Sequence, residues 1–90
     1  MADKTFKLEI VAPDRICYSG DATMVELTTT EGEVGIYPDH IPMTMIVAPG
    51  TLTIHEAGGN KEANLVSGFL EVQGDKVTIL AESLEWPEEK

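Results

Sequence analysis

Apolar and polar residues alternate with a period of two along most of the chain. Phe6, Leu8 and Ile10 are interleaved with Thr5, Lys7 and Glu9; Val25 and Leu27 with Met24 and Glu26; Leu52 and Ile54 with Thr51, Thr53 and His55. The same pattern returns in Leu70 and Val72 against Glu71 and Gln73, and in Val77 and Ile79 against Lys76 and Thr78. A strand that keeps one face dry must alternate in this way. Gly20, Gly32, Pro49-Gly50, Gly58-Gly59-Asn60 and Gly74-Asp75 break these runs at short intervals. Two hairpins follow: 51–56 with 61–66 around Ala57-Gly58-Gly59-Asn60, and 69–73 with 76–80 around Gly74-Asp75, where Gly supplies the positive φ of a type II′ turn. Residues 43–48 are apolar without a clean period and read as a fully buried strand. No stretch before residue 81 reads as an amphipathic helix. The end, from Glu82 through Trp86 and Pro87 to Lys90, supports a single helical turn or a frayed tail. The expected architecture is all-β, a small antiparallel β-sandwich or flattened barrel spanning residues 1–82, followed by a short acidic tail at 83–90.

Ninety residues make one domain, and a 42% hydrophobic content argues for a folded chain in spite of its charge. That charge narrows the partners. Six Lys and Arg against sixteen Asp and Glu give a net −10. The cations (Lys4, Lys7, Arg15, Lys61, Lys76 and Lys90) are scattered, whereas phosphate backbones and anionic lipids are held by clustered ones. Nucleic acid and a direct lipid anchor are disfavoured. The single cysteine, Cys17, has no partner for an internal disulfide, which suits a reducing compartment. No signal peptide and no membrane-spanning run is expected, so the reading is a soluble chain.

Enzymatic signatures are sparse. There is no phosphate-binding glycine loop and no Cys-x-x-Cys. Ser67-Gly68 lacks the first glycine of a nucleophile elbow and reads as a strand-end turn. His40 and His55, with Asp39 or Glu56, are the only metal-site candidates, and their spacing suits surface or interface histidines better. Cys17 reads as a small half-buried hydrophobe, and Glu31 with Glu33 as a carboxylate pair outside any apolar cleft. No catalytic residue, metal ligand or cofactor is assigned. The stretch 28–43 is the unusual one. It is either a connection stiffened by Pro38 and Pro42 or a binding loop, since β scaffolds commonly carry function on their connections.

Within that stretch, Glu31-Gly32-Glu33-Val34-Gly35-Ile36-Tyr37-Pro38-Asp39-His40-Ile41-Pro42 resembles the signature of the epsilon subunit of rotary F-type ATP synthases. The opening from Phe6 to Asp14, Tyr18-Ser19-Gly20, and the segments from Val66 to Val72 and from Val77 to Ala81 are similar to the family's first strands and last hairpin, in colinear order over about residues 4–82. Two positions depart from the family pattern. Asp39 stands where Gly is usual, and Gly68 leads directly to Phe69 where many members have a second glycine.

The resemblance implies a central-stalk rotor subunit, not an enzyme, that links the gamma subunit to the c-ring so that proton flow drives ATP synthesis. It places Thr30, Glu31, Gly32 and Glu33 at the c-ring and Ala12, His40, Pro42 and Met45 at gamma. It also implies a peripheral position on the cytoplasmic side of the cell inner membrane, held through the complex. Family members continue past the position of Ala81 into a two-helix hairpin with inhibitory or ATP-binding roles, which are not carried over to this chain. The alternatives are a β-sandwich adaptor of another complex and a small metal-dependent jelly-roll enzyme.

Overall fold

The computed structural model describes residues 4–38 and 41–86. They form ten strands: β1 (Phe6–Ala12), β2 (Arg15–Ala22), β3 (Met24–Thr29), β4 (Gly32–Ile36), β5 (Met43–Val47), β6 (Gly50–Glu56), β7 (Gly59–Leu65), β8 (Gly68–Gln73), β9 (Lys76–Ala81) and β10 (Leu84–Glu85). The all-β expectation is met, with no helix among the described residues. One sheet runs β10-β7-β6-β3-β5-β8-β9-β1-β2, with β4 paired to β3, and wraps into a nearly closed, flattened barrel of 37 × 28 × 22 Å. All pairings are antiparallel except β1 with β9, which is parallel.

The inward set is the one the alternation picks out. Phe6, Leu8, Ile10, Val25, Leu27, Leu52, Ile54, Leu70, Val72, Val77 and Ile79 are all buried and belong to one core, together with Ile36, Val47 and Leu65. Gly74 takes φ 60° in the two-residue β8–β9 turn, as that turn demands. At Gly68 the strands β8 and β9 come so close that a Cβ would run into the Leu80 carbonyl oxygen, so only glycine fits.

Three expectations are revised. Residues 43–48 are not fully buried: β5 turns Met43, Met45 and Val47 inward and leaves Thr44 and Ile46 exposed, because no described residue covers its outer face. The β6–β7 hairpin is tighter than the four-residue connection expected. Glu56 pairs with Gly59, leaving only Ala57-Gly58 in the turn, and Gly59 takes a positive φ. Residues 84–85, expected in a helical turn or a frayed tail, add to β7 as a strand, with Leu84 opposite Leu65 and inside the core. Residues 87–90 of that tail lie outside the described residues.

The seam where the sheet nearly closes is held by side chains. The Arg15 Nη2 donates to the Leu84 carbonyl at 3.0 Å, the Tyr18 hydroxyl donates to the Glu56 carboxylate, and the Tyr18 ring lies 6.4 Å from that of Trp86. Burial, and then the Glu56 hydrogen bond and charge, push the Tyr18 phenol well above its ordinary 10.0, so it stays a donor. Because Leu84 fills core space, Leu84→Ala is expected to lower stability by about 2–3 kcal/mol in urea unfolding. A loss near zero would mean that β10 is not part of the packed core.

Candidate functional site

Two surfaces stand out, and both follow from where the strands end. The first is an acidic tip. Strands β3 and β4 are joined by Thr30-Glu31, with Thr29 paired to Gly32 and Thr28 to Glu33. Gly32 closes the turn at φ 112°, a conformation that side chains with a Cβ rarely adopt. Thr30, Glu31, Gly32 and Glu33 are all exposed. Thr29 is buried, and its hydroxyl donates to the Gly32 carbonyl at 2.8 Å while accepting the Glu31 amide proton at 3.1 Å. Glu33 also borders a shallow polar depression with Glu26, Thr28, Thr51 and Thr53.

The second surface is apolar. The outward residues of β5, β8, β9, β1 and β2 line up by register: Ile46 faces Phe69, Phe69 faces Leu80, Leu80 faces Val11, and Val11 faces Ile16. Ile46, Phe69, Leu80 and Ile16 remain 53–69% exposed. At about 4.8 Å between strands, the row is roughly 19 Å long. The next rows on the same face are polar: Thr44, Glu71, Thr78 and Glu9, then Gln73, Lys76 and Lys7, with Lys76 3.8 Å from Glu9. Val11, Ala12, Pro13, Gly68 and Ala81 extend the apolar row into a groove of about 540 Å³. A contiguous apolar strip with a polar border is the usual mark of a protein–protein contact.

The two surfaces meet at one junction. The Thr30 amide donates to the Ile46 carbonyl at 3.0 Å and the Ala48 amide to the Thr28 carbonyl at 2.9 Å, so the base of the acidic tip is bonded to the strand that begins the apolar row.

Of the residues expected at gamma, only Ala12 falls on this second surface, and Pro42 lies four residues from Ile46 at the polar end of the same face. Ala12 lines the groove, Pro42 is exposed just before β5, and Met45 is half-buried against the core, on the opposite side of β5 from Ile46. His40 lies outside the described residues. Ile46, Phe69, Leu80, Val11 and Ile16 were not singled out from sequence. The signal was present in each strand, whose outward positions change from charged or polar at one end to apolar at the other, but only the register aligns those apolar ends.

The candidates for chemistry are engaged elsewhere. His55 Nε2 lies 2.9 Å from Glu26, Ser67 Oγ donates to Glu82 at 2.8 Å, and Cys17 is half-buried against the core. Among the described residues, no three His, Cys, Asp or Glu side chains converge as a metal site would require.

The fold defines a β-sandwich domain with two chemically distinct exposed surfaces. Residues 5–87 match the family model for the beta-sandwich domain of the ATP synthase Delta/Epsilon chain, and the chain belongs to that family. It is 51% identical to the ATP synthase epsilon chain of Caldanaerobacter subterraneus over 97% of its own length and 64% of that protein's. It is 39% identical to the epsilon chain of Caldicellulosiruptor bescii, over 93% of its own length and 61% of that protein's. The chain thus spans a little under two thirds of these relatives. Its fold is shared by a chain of the Euglena gracilis mitochondrial ATP synthase OSCP/F1/c-ring structure (TM-score 0.88, 24% identity, 96% of this chain and 56% of that one). It is also shared by a chain of the Tetrahymena thermophila mitochondrial ATP synthase central stalk/c-ring structure (TM-score 0.80, 14% identity, 99% and 72%).

Proposed function

We propose that this chain is the sandwich domain of a central-stalk rotor subunit that links the gamma subunit to the c-ring of a proton-translocating F-type ATP synthase. The observation that carries this reading is the pair of chemically different surfaces on one stiff body: an apolar row for one neighbour and an acidic tip for another, bonded together at the β3–β5 junction. The names of the relatives and the fold's occurrence in a central stalk/c-ring assembly support it.

In this reading gamma covers the apolar row and groove. Ile46, Phe69 and Leu80 are the anchors, Ala12 lies at their edge, and Pro42 and His40, ahead of β5, form the periphery of the contact, where His40 contributes a hydrogen bond. Burying these side chains excludes water around a few well-packed contacts, which is where binding energy concentrates. The c-ring is met by Thr30, Glu31, Gly32 and Glu33. Carboxylates there accept hydrogen bonds from polar or basic loops, and charge-assisted bonds are the stronger kind. Met45 acts from behind, packing under the strand that carries Ile46.

The domain makes and breaks no covalent bond. It transmits torque as a rigid wedge, which a barrel-like sheet with side-chain ties across its seam is suited to do. Its place at the membrane, on the cytoplasmic side of the inner membrane, comes from the ring and not from lipid contact. The helical inhibitory or ATP-binding roles of longer relatives are not assigned to these residues.

Two substitutions separate the surfaces. Glu33→Lys is expected to leave the fold and gamma binding intact and to weaken c-ring attachment by about tenfold or more, read in pull-downs with isolated ring. Leu80→Lys, at a site open to water in the free chain, is expected to weaken gamma binding by roughly tenfold or more with ring attachment unchanged. Parental affinity for both partners in both variants would rule the assignment out.

A further inference from the structure

Thr29 is the one buried polar side chain among the described residues, only 3% exposed. It follows Val25 and Leu27 on the inward face of β3, where packing alone calls for a valine of the same shape. A hydroxyl in such a place is costly unless it is hydrogen-bonded. This one is bonded twice, and both bonds go to the acidic tip: to the Gly32 carbonyl and from the Glu31 amide. The hydroxyl therefore ties the amide within the Thr30-Glu31 turn and the carbonyl that follows it to a side chain anchored in the core. Thr29 also pairs with Val47 of β5, and its neighbours make the two backbone bonds that join β3 to β5.

We infer that Thr29 is the positioning residue of the acidic tip, holding Glu31 and Glu33 at a fixed angle to the apolar row. This inference rests on the ring-and-gamma reading above and adds to it how one body presents two contacts in a set geometry. Glu31 is exposed in a two-residue turn closed by a glycine and would otherwise sample many conformations. The Thr29 bonds remove that freedom before the partner arrives, so that less order is lost on docking. Valine at position 29 keeps the volume and the β-branch and removes only the bonds. Serine keeps the bonds and removes a methyl group.

The test uses the full chain with Thr29→Val, Thr29→Ser and Glu33→Lys. It reads amide hydrogen exchange at Glu31, retention on isolated c-ring, and binding to gamma. In the unsubstituted chain the Glu31 amide is expected to exchange slowly although the residue is exposed, and fast exchange there overturns the inference without any variant. Thr29→Val is expected to speed exchange at Glu31 by about tenfold, leave core amides such as Leu52 and Ile79 unchanged, and weaken ring retention with gamma binding kept. Thr29→Ser is expected to match the parent in all three. If Thr29→Val retains the ring as the parent does while Glu33→Lys loses it, positioning by Thr29 is wrong and the ring contact stands. If Glu33→Lys also retains the ring, the functional reading fails and the inference with it. If Thr29→Ser behaves like Thr29→Val, the effect is one of packing and the hydroxyl has no positioning role.

Discussion

The position of β9 between β8 and β1 fixes what this molecule presents to its surroundings. Leu80 is held opposite Phe69 on one side by an antiparallel ladder and opposite Val11 on the other by a parallel one. A slip of one residue in either ladder would turn every side chain of that strand to the opposite face. The core forbids this, because Val77 and Ile79 have no room to leave it and Lys76 and Thr78 could not replace them without burying unpaired polar groups. The apolar row is therefore a by-product of core packing: once the inward set is seated, the outward set has only one alignment.

From that constraint the division of the surface follows. The strands of this face become apolar toward the same end, and that end is also where β5 bonds to the base of the β3–β4 hairpin. The apolar and acidic surfaces are adjacent but distinct, joined by two backbone bonds between β3 and β5, with one buried hydroxyl bracing the acidic side. An adaptor built this way can present both surfaces to different neighbours without a hinge between them. Closely packed strands transmit strain with little give, as protein interiors generally do. The seam ties, Arg15 to the Leu84 carbonyl and Tyr18 to Glu56 and Trp86, resist opening of the barrel where β2 meets the β6–β7–β10 end of the sheet.

Much of this was legible in the chain. Period-two alternation identified the inward faces of β1, β3, β6, β8 and β9, and Gly74-Asp75 marked a turn that the structure makes in two residues. The signature around Glu31-Gly32-Glu33 carries the resemblance to the family in the sequence alone. What stayed hidden has physical causes. The parallel pairing of β1 with β9 joins segments far apart in sequence, and nothing local encodes it. Residues 43–48 gave no period because Ile46 is an apolar residue on the outer face of β5. Leu84 looked like part of a polar tail because a two-residue strand is too short to show alternation. Thr29 lay among three consecutive threonines, and its burial and its two hydroxyl bonds distinguish it from Thr28 and Thr30. Position 40, weighed from sequence as a contact histidine, lies outside the described residues.

Hydroxyl-radical footprinting of the chain, free and within the assembled ATP synthase, tests the central claim most directly. Assembly is expected to protect Phe69, Leu80 and Ile46 strongly while leaving the polar rows around Gln73 and Lys76 much less protected, as the proposed cover of the apolar end by gamma requires. Equal oxidation of Phe69 and Leu80 in the free chain and in the complex would contradict the account.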